Sequence, residues 1–192
     1  MYLLLKPTQK GGGVSITADE ETMDLVERLL TNHAMNSYCC WEDGSCMALS
    51  RYFDKDRSHV VDWVTLIVGL TVLRTSIGYF ASKQDHALVC CLEYQLQHAL
   101  SQKLNLEPEV IDSELNRLKG FGDDIFGDIW YSRLVYLYKL KTSTNRKREL
   151  LAIIRSLDPM SQVLDKEYIK SFKDLTLADL DYPAGTKFSF DL

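Results

Sequence analysis

The chain has no apolar run long enough to cross a bilayer. Its most apolar stretch lies between Asp62 and Arg74 and holds 11 uncharged residues, short of the roughly 18–20 that a spanning helix needs. It also lacks a cationic surplus. Lys and Arg number 22 against 27 Asp and Glu, a formal charge of −5, which argues against broad coating of nucleic acid, because phosphate binding needs an excess of Lys and Arg. A paired cysteine pattern is missing as well. The five cysteines, Cys39, Cys40, Cys46, Cys90 and Cys91, are odd in number and include two adjacent pairs, unlike the even, spaced framework of a disulfide-rich secreted protein. They read as reduced thiols of a cytoplasmic protein. The first seven residues are too short an apolar run for a signal peptide and carry no basic leader.

Catalytic signatures are equally scarce. No phosphate-cradling G-x-x-x-x-G-K-[ST] or dinucleotide G-x-G-x-x-G occurs, and no G-x-S-x-G, H-E-x-x-H or H-x-E with C-x-x-C. Lys10-Gly11-Gly12-Gly13 is glycine-rich, but it joins one strand pattern to another instead of opening a helix. There is no internal repeat and no low-complexity segment, and no cofactor is expected.

What is present is a change of character near residue 58. Before it, two short alternating segments meet at glycine turns. After it, helical patterns dominate, with apolar residues recurring at three and four. Residues 2–6 and 14–16 flank the glycines as a loose hairpin, with Pro7 marking a strand end or edge. Thr17-Ala18-Asp19-Glu20 fits a capping box for a helix to about Asn32 that buries Met23, Val26, Leu29 and Leu30. Residues 38–41 and 45–53, split by Glu42-Asp43-Gly44, predict a second hairpin, because Asp-Gly suits a turn with two positive φ angles.

Beyond the connector 54–58, Ser58 suits an N-cap, and the length of 60–80 without a turn predicts one buried helix, with a pair of strands as the alternative because the run is rich in β-branched residues. Ser82-Lys83-Gln84-Asp85 predicts a capped helix to about Lys103 with Leu88, Leu92, Leu96, Ala99 and Leu100 inward. Pro108 suits a first turn and Gly120 the residue after a helix end. Further helices are expected from Asp123 or Asp124 to about Lys141, from Thr144 through Leu157, and from Asp158-Pro159. The expected fold is therefore α+β: an N-terminal antiparallel sheet of two hairpins with one helix (1–57), then five or six helices with an extended tail (58–192), all in one continuous compact domain.

Five groups of residues could carry chemistry. His86, Cys90, Glu93 and Gln97 share one helix face, and a thiol, an imidazole and a carboxylate together can form a nucleophile with its base. Asp123, Asp124 and Asp128 could hold Mg²⁺ or Ca²⁺, although Asp at a helix start also caps it. Arg146, Lys147 and Arg148, with Lys139 and Lys141 nearby, form the basic cluster, a patch for phosphate or an acidic partner. Phe188 and Phe190 lie in an alternating tail that could add to a partner's sheet. His33, Cys39, Cys40, Cys46 and His59 fall close together, but their spacing does not fit the two close ligand pairs of structural zinc. The leading expectation is a non-enzymatic protein-interaction protein, such as an accessory subunit, adaptor or immunity-type inhibitor of a bacterial or phage system. The alternatives are a small enzyme built on His86, Cys90 and Glu93, and a nucleic-acid-associated subunit reading phosphate through its one basic patch.

Overall fold

In a computed structural model the described residues are 2–36, 44–54, 59–77, 81–119, 130 and 133–158. They form an α+β fold, a small antiparallel sheet and a larger set of helices. Strands β1 (Leu3–Pro7) and β2 (Gly13–Ala18) make the expected first hairpin, with Leu5 opposite Ile16 and Pro7 opposite Val14. The third strand is β3 (Val60–Asp62), which pairs antiparallel with β2 through Val14 and Val61. Alternation places Leu3, Leu5, Val14, Ile16 and Val61 on one buried face.

Helix α1 (Glu20–Asn36) starts two residues later than the capping-box reading implies. The cap is Asp19, whose Oδ1 accepts from the Thr22 amide at 2.9 Å and the Thr22 hydroxyl at 2.8 Å. Thr17 is in β2. The second hairpin is a correction. Residues 45–50, expected as a strand, form the short helix α2 (Ser45–Ser50). Cys46, Leu49 and Phe53 are spaced three and four apart, and all three are fully buried, so helical packing wins over the turn signal of Asp43-Gly44. Residues 38–41 lie outside the described residues.

The run at 60–80 is also divided. Val60 and Val61 are β-branched and complete the sheet, and helix α3 (Trp63–Ser76) starts after them. Its N-cap is Asp62, which accepts from the Thr65 amide at 2.7 Å; Ser58 is not among the described residues. α3 is apolar on all sides, as a central helix must be, with Trp63, Leu66, Ile67, Leu70 and Leu73 buried. α2 crosses it at Gly69, where an added Cβ would sit 2.8 Å from Leu49 Cδ2.

Helix α4 (Lys83–Leu104) opens on the expected box: the Asp85 amide donates to Ser82 Oγ at 3.1 Å and the Ser82 amide to Asp85 Oδ2 at 2.8 Å. Its inward residues are buried as expected, each leucine contributing about 2 kcal/mol. α4 packs along β1, the edge strand. The Leu5 amide donates to Gln95 Oε1 at 3.4 Å, so a helix side chain satisfies an edge group that would otherwise recruit another strand. Helix α5 (Pro108–Asn116) begins on Pro108 as expected and ends at Arg117, before Gly120.

Residues 133–139 form α6. Helix α7 (Ser143–Ser156) is capped by Thr142, whose hydroxyl accepts from the Asn145 amide at 3.2 Å. Thr144, the expected cap, is exposed inside its first turn. One hydrophobic cluster runs from Leu3 to Leu157 and joins sheet and helices.

Candidate functional site

Helix α4 presents two polar strips, and they differ in chemistry. The first carries Cys90, Glu93 and Gln97 and faces a cavity of about 210 Å³ between α3, α4 and the end of α5. Leu70, Thr71 and Leu96 line it, with Asp112 and Lys119. Cys90 and Glu93 thus share a cavity, but His86 is exposed and is not part of the lining. Glu93 Oε1 stands 3.6 Å from Arg74 Nε and 3.8 Å from Lys119 Nζ. Its carboxylate therefore ties three elements together. Gln97 Nε2 donates to the Pro108 carbonyl at 2.9 Å, again a structural role. Cys90 is exposed, and burial pushes the neighbouring Cys91 thiol up, away from the thiolate that attacks or binds metal.

The second strip faces a groove of about 740 Å³ between β1 and α4. Leu4 and Lys6 reach it from the sheet, Gln95, His98, Gln102 and Lys103 from α4, and Lys147 from α7. Three ammonium groups line this groove, and among the described residues no Asp or Glu does. Lys6, Lys103 and Lys147 make no ion pair with any described residue. Lys103 Nζ donates to Ser143 Oγ at 3.4 Å and packs on the Gly11 backbone, where an added Cβ would lie 2.2 Å from it. Burial, then the nearby charges of Lys147 and Arg146, hold the Lys103 ammonium below the usual lysine range. His98 stacks on the exposed Tyr94, which lines the first cavity, with ring centroids 4.8 Å apart.

The basic triplet of the sequence is split by helix geometry, since successive residues on a helix point about 100° apart. Only Lys147 lines the groove. Arg146 is buried and donates through Nε to the Leu140 carbonyl at 2.6 Å and through Nη1 to the Lys10 carbonyl at 3.2 Å. Arg148 pairs with Glu149 at 2.8 Å. Lys103, which completes the groove, stands far from the triplet in sequence and carries no local signal.

A third polar group is fully enclosed. Asp62 has no exposed surface. Burial pushes its carboxyl up, opposed by the Thr65 amide and the Tyr138 hydroxyl that faces it. Burial and then the same carboxylate push the Tyr52 phenol up to about 12 and push the Tyr138 phenol up as well. Trp130 Nε1 donates to Thr65 Oγ1 at 3.4 Å, and Trp63 Nε1 to the Gly11 carbonyl at 3.1 Å. This constellation escaped the sequence reading; its one local signal was Asp62 three residues before Thr65, an N-cap spacing.

Asp123, Asp124, Asp128, Phe188 and Phe190 lie outside the described residues, as do Cys39 and Cys40. Among the described residues no group of three or more His, Cys, Asp or Glu is placed to hold a metal, and no helix is long and apolar enough to cross a membrane. No protein-family model, curated protein or solved structure matches the chain, so function must be argued from these residues alone.

Proposed function

We propose that the chain is a non-enzymatic protein-interaction protein that takes an acidic segment of a partner protein into the β1–α4 groove. The observation that carries this reading is the groove's charge: its ionised lining is of one sign, in a chain whose net charge is −5. Complementary charge steers encounter and selects partners more than it supplies affinity. Three rim pairs contribute at most about 3 kcal/mol, so Leu4, Pro7 and Ala99 in the lining must add apolar contact for a useful complex. An accessory subunit, adaptor or immunity-type inhibitor works in this way. The odd cysteine count, with Cys46, Cys90 and Cys91 unpaired, supports a reducing compartment such as the cytoplasm.

The enzyme alternative has less support. Glu93 is tied to two cations, and no imidazole lines its cavity among the described residues.

The test is fluorescence anisotropy of a labelled Glu-rich peptide on the full chain, beside a single-stranded RNA of equal charge. Tight, salt-sensitive peptide binding that falls about tenfold or more in Lys6→Glu/Lys147→Glu supports the proposal. Peptide binding that is undetectable or indifferent to the charge reversal overturns it, and so does stronger binding of the RNA.

A further inference from the structure

The groove is not uniform along its length. At one end Lys103, from the last turn of α4, meets Ser143 and Lys147 from the first turns of α7. Ser143 and Lys147 are four apart and share a helix face. The Lys103 ammonium is placed there by the Gly11 turn beside it and by its bond to Ser143 Oγ. Toward the other end only Lys6 remains, beside Leu4, Gln95 and His98.

We infer that the α4–α7 end of the groove is a site for a phosphate monoester, carried by a phosphorylated serine or threonine of the partner. This deepens the proposal above and rests on its premise that the groove takes an anionic protein segment. Two ammonium groups held together, with Arg146 behind them, repel each other. A single carboxylate offsets one of them. A phosphate carries about −1.5 to −2 at neutral pH with three acceptor oxygens, which matches two neighbouring ammonium groups with a hydroxyl beside one of them. Charge-assisted hydrogen bonds of this kind are roughly twice as strong as neutral ones. The rest of the groove fits an extended peptide. It is open, mixes apolar and amide groups, and has no Phe, Tyr or Trp among the described lining residues on which a nucleobase could stack.

The experiment compares three versions of one peptide on the full chain by calorimetry: with serine, with phosphoserine, and with glutamate at the same position. The phosphopeptide should bind about tenfold tighter than the glutamate version. That preference should vanish in Lys103→Gln and in Lys147→Gln, and survive in Lys6→Gln. Lys147 is exposed, so its replacement tests the site without disturbing the fold. Equal binding of the phosphoserine and glutamate peptides overturns the phosphate site and leaves the acidic-segment reading standing. A preference that persists in both Lys103→Gln and Lys147→Gln overturns the assignment to this end of the groove. No binding of any peptide overturns both readings.

Discussion

Two glycines in one turn should respond very differently to the same methyl group. A Cβ on Gly13 would lie 2.0 Å from the Val61 carbonyl oxygen and 2.8 Å from Asp62 Cα. Carbon and oxygen normally approach no closer than about 3.3 Å, so β3 must retreat by about 1.3 Å. Both clashing atoms are backbone and cannot rotate away. The retreat strains the Gly13–Asp62 pairing and the bond from the Trp63 amide to the Gly12 carbonyl, now 3.2 Å. Two weakened hydrogen bonds at about 1 kcal/mol each and an overpacking term of about 1–3 kcal/mol give about 4 kcal/mol for Gly13→Ala. Gly11 differs. Its φ is +73°, and its added Cβ would meet the flexible end of Lys103. The side chain can move, leaving the left-handed strain of about 1–2 kcal/mol. Urea unfolding at constant m-value measures both. Gly13→Ala should be the more destabilising by about 2 kcal/mol, with Gly11→Asn milder than Gly11→Ala because Asn tolerates positive φ. Gly11→Ala proving the costlier, or Gly13→Ala costing under about 1 kcal/mol, would refute the close approach of β2 to β3.

Asp62 predicts a pH effect. Its carboxyl is pushed up in the folded protein, above the unfolded value of about 3.9, so the native state binds the proton more tightly. The stability this gives is complete below about pH 3.9 and is lost as pH rises through the folded value. Asp62→Asn keeps an acceptor for the Thr65 amide and removes the charge. It should match the wild type in acid and exceed it at pH 8 by thermal melting; an Asn variant less stable at pH 8 would mean that the carboxylate has an ionic partner. Arg155 donates to Glu114 Oε1 through Nε at 2.9 Å and Nη2 at 2.7 Å, with Arg117 3.5 Å from Oε2. Glu114 is buried but Arg155 is half exposed, so Arg155→Met should cost about 1–2 kcal/mol, less than a fully buried pair. Adding Glu114→Gln should recover part of that in chemical denaturation, and no recovery would show that the pair is not coupled.

Local chemistry was legible and tertiary choice was not. Ser82 and Asp85 formed their box, and Pro108 opened its helix, because those signals act within four residues. Residues 45–53 satisfied two periods at once, and burial against α1 and α3 chose the helix. At 60–63 the same competition went the other way: Val60 and Val61 joined the sheet because β2 stood ready to pair. The candidate groove was half visible. Lys147 was found through its charged neighbours, but only folding separates it from Arg146 and Arg148 and sets Lys103 beside it. Asp62 looked like an ordinary charge until folding buried it near the Tyr52 and Tyr138 phenols.

The bond from Arg146 to the Lys10 carbonyl links residues 136 positions apart. During synthesis at 5–20 residues per second, roughly 7–27 s separate the two ends of that contact. The glycine turn between β1 and β2 is therefore fastened in stages, by Trp63 through Gly11 and Gly12 and then by Arg146 through Lys10. Until α7 emerges, the growing chain carries an N-terminal hairpin whose loop has no α7 to hold it, and whose partner strand β3 arrives well before the arginine does. A chain stalled between Trp63 and Arg146 would hold that loop from one side only, and a chaperone that recognises unfinished structure would have that interval in which to act.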